Sequence, residues 1–309
     1  MKKSWYLMSL LLLVVVFIGW SLLRQSEVEV ADSSKLQVTV SLPLLRNLTE
    51  AIGRDQVAVT SIIEGPSCNH HYEPASGDLV NVSRSPIFIK AGMGFDLWVD
   101  KLIEGAGEDV MVIDVSKGVT LIDAEHHSRA ADEDDEADSD HEHLSGNPHY
   151  WGNPENVKIM AENILKGLIK ALPEKEEYFT ENYREYLTKV DQTVGRLQAE
   201  LDGVSNKKII SYSAAFPYLY QYFGFDNLAT VESTCEQEVS PRRLAEVIKI
   251  IKTNQVKVVI GEAVYPKLPE NLAQETGATL VLLWPSTNET GDYLETLSEN
   301  IEKMVAALE

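Results

Sequence analysis

Two rhythms of apolar positions alternate along this chain. Short runs rich in Val, Ile and Leu occur at LQVTVSL (36–42), QVAVTSII (56–63), PIFIKAG (86–92) and VMVID (110–114), and read as strands. A second set follows at KKIISYS (207–213), NLATVEST (227–234), VKVVIGEA (256–263) and TLVLLWP (279–285). Helical patterns separate the strands. That alternation specifies βαβ units, and hence an α/β fold with two lobes, each holding a mostly parallel four-stranded sheet flanked by helices. Between the sets, NPENVKIMAENILKGLIKAL reads as a helix, with Asn153 as cap, Pro154 in the first position and Glu155 in the first turn. A second helix begins at Pro173 and runs to about Asp202, where Gly203 ends it. Tyr178, Phe179, Tyr183, Tyr186, Leu187, Val190, Val194 and Leu197 recur along it at helical spacing. Its roughly 28 residues would span about 42 Å, which suits a rod joining two lobes.

These patterns divide the chain into a linker (25–35), an N-terminal lobe (36–172), an interlobe helix (173–203) and a C-terminal lobe (204–309). Ahead of the linker, residues 1–24 form a different kind of segment. Lys2 and Lys3 precede an uncharged, mostly apolar run from Trp5 to Leu23, closed by Arg24. As a helix it would rise roughly 28 Å, close to the thickness of a bilayer core. It has no convincing small-residue cleavage site, and no cysteine follows for lipid attachment. An uncleaved anchor and a long signal both fit. Either places the remainder outside the cytoplasm, in a periplasm or at the cell surface.

The chain has 309 residues and a formal net charge of −21, which excludes the basic footprint of a nucleic-acid binder and suits a protein that handles cations. All seven histidines fall between residues 70 and 149. His70 and His71 lie in CNHHYEP (68–74), directly after a strand, where α/β sheets bind ligands. His126, His127, His141 and His143 lie in EHHSRAADEDDEADSDHEH (125–143), among nine acidic residues. That composition cannot build a core, so about 124–145 is expected to be disordered. It reads either as a solvated acidic loop or as an accessory loop that collects metal weakly. His149 precedes the capped helix, in NPHYWGNPENV.

Four stretches together resemble the substrate-binding proteins of zinc and manganese ABC importers, the ZnuA/TroA-like family. They are EGPSCNHHYEPASGDL, IKAGMGFDLWVDKLI, GNPHYWGNPENV and SYSAAFPYLYQYFGF, and the likeness extends over nearly all of 36–309. The resemblance implies two α/β lobes joined by a rigid helix, one metal ion in the cleft between them, and delivery of that ion to a membrane permease. It implies His70 and His149 as ligands from the first lobe. At the two positions where the family takes ligands from its second lobe, this chain has Ser213 and Trp284. A serine is a poor zinc ligand and a tryptophan is none.

Cys68 and Cys235 bear on that gap. Residues i and i+2 of an extended segment point the same way, so Cys68 and His70 can face one ion while His71 faces elsewhere. Cys235 follows a strand of the second lobe. Three readings stand open: Cys68, His70, His149 and Cys235 as a tetrahedral set for Zn2+ or a softer ion such as Cu(I), a Cys68–Cys235 disulfide, or two inert residues. Mn2+ is the further ion the resemblance allows. Glu73 and Pro74 are expected to shape the turn. No nucleophile–base–orienter set stands out, so the chain reads as a binding protein, working as a monomer. The alternatives are a scaffold or adhesion protein that has lost transport, and a zinc hydrolase with Glu262 as base.

Overall fold

The computed structural model describes residues 35–65, 72–107, 109–122, 146–231 and 239–309. In the first lobe, β1 (Leu36–Val40), β2 (Val57–Ser61), β3 (Ile87–Lys90) and β4 (Met111–Asp114) form a sheet in the order β2-β1-β3-β4. In the second, β5 (Lys208–Ser211), β6 (Asp226–Thr230), β7 (Val258–Glu262) and β8 (Thr279–Leu283) form a sheet in the equivalent order, β6-β5-β7-β8. The pairings β1–β3, β3–β4, β5–β6, β5–β7 and β7–β8 are all parallel. The central strands carry apolar residues on both faces. Ile87, Phe88 and Ile89 of β3 are buried, as are Val258, Val259 and Ile260 of β7. Parallel sheets covered by helices on both sides require such strands.

The covering helices of the first lobe are α1 (Pro43–Gly53), α2 (Ser76–Arg84) and α3 (Trp98–Ala106). Then α4 (Pro154–Ala171) begins as its sequence predicts, with the Asn153 side chain accepting from Glu155 N–H and Pro154 at the first position. The second lobe adds α6 (Pro217–Phe223), α7 (Pro241–Asn254), α8 (Lys267–Thr276) and α9 (Tyr293–Leu308). Ser240 caps α7 and Asp292 caps α9. Among the described residues no helix is long and apolar enough to cross a membrane. The apolar run at 5–23 lies outside them.

The long helix, α5 (Glu176–Leu201), has 26 residues and is therefore about 39 Å long. Its first expected turn is a separate 3-10 turn, Pro173–Lys175, because Lys175 N–H bonds to Leu172 C=O three residues back. A buried stripe of Phe179, Tyr186, Val190, Val194 and Leu197 faces α1 and α4 of the first lobe and α9 of the second. Asn182, 2% exposed, donates to the Ile52 carbonyl at the end of α1. The rod is thus pinned by packing and by a buried hydrogen bond, since isolated helix propensity supplies little.

Candidate metal centre

His149 sits at the start of a 3-10 turn, Tyr150–Gly152, just before α4. Its backbone N–H and its ring Nδ1 both lie against Asn147 Oδ1, at 2.9 and 3.0 Å. Asn147 Nδ2 donates to the Ala214 carbonyl of the second lobe at 2.7 Å. That bond fixes which end of the amide is oxygen. An amide oxygen only accepts, so Nδ1 carries the proton and the ring lone pair is on Nε2. Metal-ligating histidines use this arrangement: the second nitrogen donates to an oxygen, which sets tautomer and ring angle. The rings of Phe95 and Trp151 stand edge-on to the imidazole, with centroids 5.4 and 5.6 Å away.

Phe95 is placed by the turn after β3. Gly92 adopts φ +72, and a Cβ there would collide with the Asp114 carboxylate and the Ser116 hydroxyl, so only glycine fits. Asp96, 2% exposed, holds the turn by accepting from Ala91 N–H, Gly92 N–H and Ser41 Oγ. Burial pushes the Asp96 carboxyl above the usual range, against the pull of those donors.

Cys68 and His70 lie outside the described residues, as do Cys235 and the loop histidines His126, His127, His141 and His143. Both flanks of the segment 66–71 are described. On one side, Ile62 and Ile63 continue β2, bonding to Val40 and Ser41 carbonyls. On the other, the Tyr72 hydroxyl donates to Asp78 at 2.9 Å and its ring packs on Trp98 at 4.8 Å. Residues 62–65 thus continue from the carboxyl end of β2, and Tyr72 lies against α2 and α3. Glu73 and Pro74 are exposed. Among the described residues no three His, Cys, Asp or Glu side chains gather as a metal site.

Across the Asn147–Ala214 bond lies the second lobe. Ser213, two residues beyond β5, donates through Oγ to Glu262 Oε1 in a short hydrogen bond and accepts from Ala215 N–H. The Ser213 carbonyl accepts from Ser211 Oγ at 2.6 Å. Glu262 is the last residue of β7 and only 8% exposed. Burial pushes its carboxyl up, opposed by the Ser213 hydroxyl. Trp284 turns to its own lobe. Its indole N–H donates to Glu299 of α9, and its backbone N–H and C=O are both held by the Asn300 side chain.

The lobes meet through this same neighbourhood. Tyr218 Oη donates to the Asn147 carbonyl and accepts from Ile122 N–H. Trp151 Nε1 donates to the Pro285 carbonyl at 2.7 Å, and Tyr293 Oη to the Trp151 carbonyl at 3.1 Å. Asn147 was not singled out in the sequence. An Asn two residues before a candidate ligand histidine is a legible signal for it, because Asx side chains bond the backbone two residues on.

The sequence model of the family described as "Zinc-uptake complex component A periplasmic" matches residues 38–307. A manganese ABC transporter substrate-binding lipoprotein PsaA of Streptococcus mitis is 25% identical, over all of this chain and 99% of that protein. A zinc-binding protein AdcA of Streptococcus pyogenes is 26% identical, over 98% of this chain and 61% of that longer protein. A crystal structure of ZnuA superposes with a TM-score of 0.77 at 25% identity, covering 89% of this chain and all of that one.

Proposed function

We propose, from the premise that this chain belongs to the periplasmic zinc-uptake component A family, that it binds a transition-metal ion outside the cytoplasm and delivers it to an ABC importer. The ion is cargo, and the chain catalyses no reaction. Relatives named for zinc and for manganese support the class of cargo. Zn2+ is our reading of the ion, with Mn2+ or Cu(I) as competing cargo. The first-lobe donors are His149 and His70. Cys68 and Cys235 are thiolate donors in this reading, and a Cys68–Cys235 disulfide is the competing state, which counting free thiols in the metal-free protein decides. Residues 5–23 hold the chain at the cytoplasmic membrane.

The observation that carries the reading is His149. Its ring is held by Asn147 in the tautomer a metal ligand needs, and Asn147 also bonds the Ala214 carbonyl of the second lobe. Isothermal titration with Zn2+ tests it. A tight phase near one equivalent is expected in the wild type and should be absent in His70→Ala/His149→Ala. A tight phase that survives the double substitution rules the site out.

A further inference from the structure

The first lobe buries a carboxylate that the proposed ligand set does not include. Asp96 is 2% exposed. Its Oδ2 accepts from Ser41 Oγ at 2.6 Å and from Ala91 N–H at 2.7 Å, and its Oδ1 accepts from Gly92 N–H at 2.9 Å. These donors satisfy a charge that would otherwise be costly to bury. They come from two separate segments. Ser41 follows β1 directly, and Ala91 and Gly92 follow β3. Because β1 and β3 are adjacent parallel strands, Asp96 ties their ends together at the carboxyl end of the first sheet, where α/β sheets place ligands.

Each segment leads to one of the two expected first-lobe donors. The Ser41 carbonyl accepts from Ile63 N–H at 3.2 Å, beside the bond from Ile62 N–H to the Val40 carbonyl. Ile62 and Ile63 continue β2, and His70 follows them in the chain. On the other side, the Ala91 carbonyl accepts from Tyr150 Oη at 2.6 Å, and Tyr150 is the chain neighbour of His149. Burial, with the Asp96 and Asp114 carboxylates nearby, pushes the Tyr150 phenol well above its usual range, so the hydroxyl keeps the proton its bond to Ala91 needs. Phe95, whose ring stands edge-on to His149, belongs to the same turn, its N–H bonded to the Gly92 carbonyl. We propose that Asp96 is a positioning residue for the metal centre: by tying the end of β1 to the turn after β3, it fixes the segment ahead of His70 relative to the turn that bears His149. It acts through Ser41, Ala91 and Tyr150, not as a ligand. The proposal rests on the metal-binding reading above. Spacing matters because zinc–nitrogen bonds fall in a narrow range of about 2.0–2.1 Å, so two imidazoles from separate segments share an ion only when both segments are held.

The test compares Asp96→Asn, Tyr150→Phe, Asn182→Ala and His149→Ala with wild type in the full chain. Zn2+ titration gives affinity, and melting of the metal-free protein gives stability. Asp96→Asn keeps the shape but replaces one oxygen by an NH2 group, which donates and cannot accept, so at least one of the three bonds is lost. Its Zn2+ affinity should fall by about tenfold or more, the scale of groups that orient a ligand. Tyr150→Phe removes only the bond to Ala91 and should show part of the same loss. Asn182→Ala is the control for stability. It removes the buried bond to the Ile52 carbonyl, at the far end of α1 from Ser41, and should lower Tm while binding Zn2+ within about threefold of wild type, since distant sites act independently. If Asp96→Asn binds like wild type while His149→Ala does not, Asp96 is a brace for the fold alone: the proposal fails and the metal-binding reading survives. If Asn182→Ala loses as much affinity as Asp96→Asn for an equal fall in Tm, affinity merely follows stability and the proposal again fails. If His149→Ala itself binds like wild type, the metal-binding reading fails. Should Asp96→Asn not fold, Ser41→Ala and Tyr150→Phe decide, because each removes one bond of the tie; wild-type affinity in both overturns the proposal.

Discussion

Asn147 makes two separable contributions, and substituting it measures both. Asn147→Ala removes three hydrogen bonds: the donation to Ala214 C=O and the two accepted from His149 N–H and Nδ1. The residue is 8% exposed, so the abandoned groups stay largely away from water. At about 1 kcal/mol for each bond the metal-free protein loses about 3 kcal/mol. For a chain of this size that is a fall in Tm of roughly 6–12 °C. Separately, His149 loses the oxygen that fixes its tautomer, which should weaken Zn2+ binding by about 10- to 100-fold. Asn147→Asp separates the two effects. It still offers oxygen to both His149 N–H groups but sets an anion against the Ala214 carbonyl. Its Tm should fall as far as that of Asn147→Ala, while its affinity stays within about threefold of wild type. Calorimetry and zinc titration on the two variants read both quantities. Equal losses of affinity in the two variants would refute the tautomer account and assign the effect to the interlobe bond.

Two further outcomes follow from burial and composition. The Tyr186 hydroxyl of α5 is buried and has no hydrogen-bond partner among the described residues, so Tyr186→Phe should leave Tm unchanged or raise it by up to a few degrees, corresponding to about 1 kcal/mol; a clear fall in a thermal melt would reveal a partner. Deleting residues 124–145, which hold four histidines and no core-forming pattern, should leave the metal-free Tm nearly unchanged and remove only weak metal equivalents in a titration; a large drop in Tm would show that the segment packs.

The strands were legible because parallel, doubly covered sheets demand continuous apolar runs. VKVVIGEA and PIFIKAG fall on β7 and β3 with only end residues trimmed. The α4 boundary was legible because Asn153-Pro154-Glu155 is a local signal, and the cap bond forms within two residues. The α5 boundary shifted by a turn, because Pro173 sets a backbone angle without dictating which carbonyl the next amides will choose. His149 was legible as a histidine beside a capped helix. Its companions in the site were less so. Ser213 and Glu262 are 49 residues apart, and Asn147 and Ala214 are 67 apart. No periodicity encodes contacts of that length: the β5–β7 pairing brings the first pair together, and the docking of the two lobes the second. The sequence offers Glu262 only as the base of a zinc hydrolase, since nothing near it shows that its side chain will bond Ser213, the residue standing where a ligand was expected.

Several of the bonds that lock the lobes together end on main-chain oxygens: Ala214, Pro285, Asn147 and Trp151 all contribute carbonyls. Every residue type offers that carbonyl in the same place. The alignment of the two halves is therefore written in backbone rather than in side chains on the accepting side. Positions 213 and 284 flank two of those oxygens but supply none of them, so a change of side chain there leaves all four accepting groups of the lobe contact in the chain.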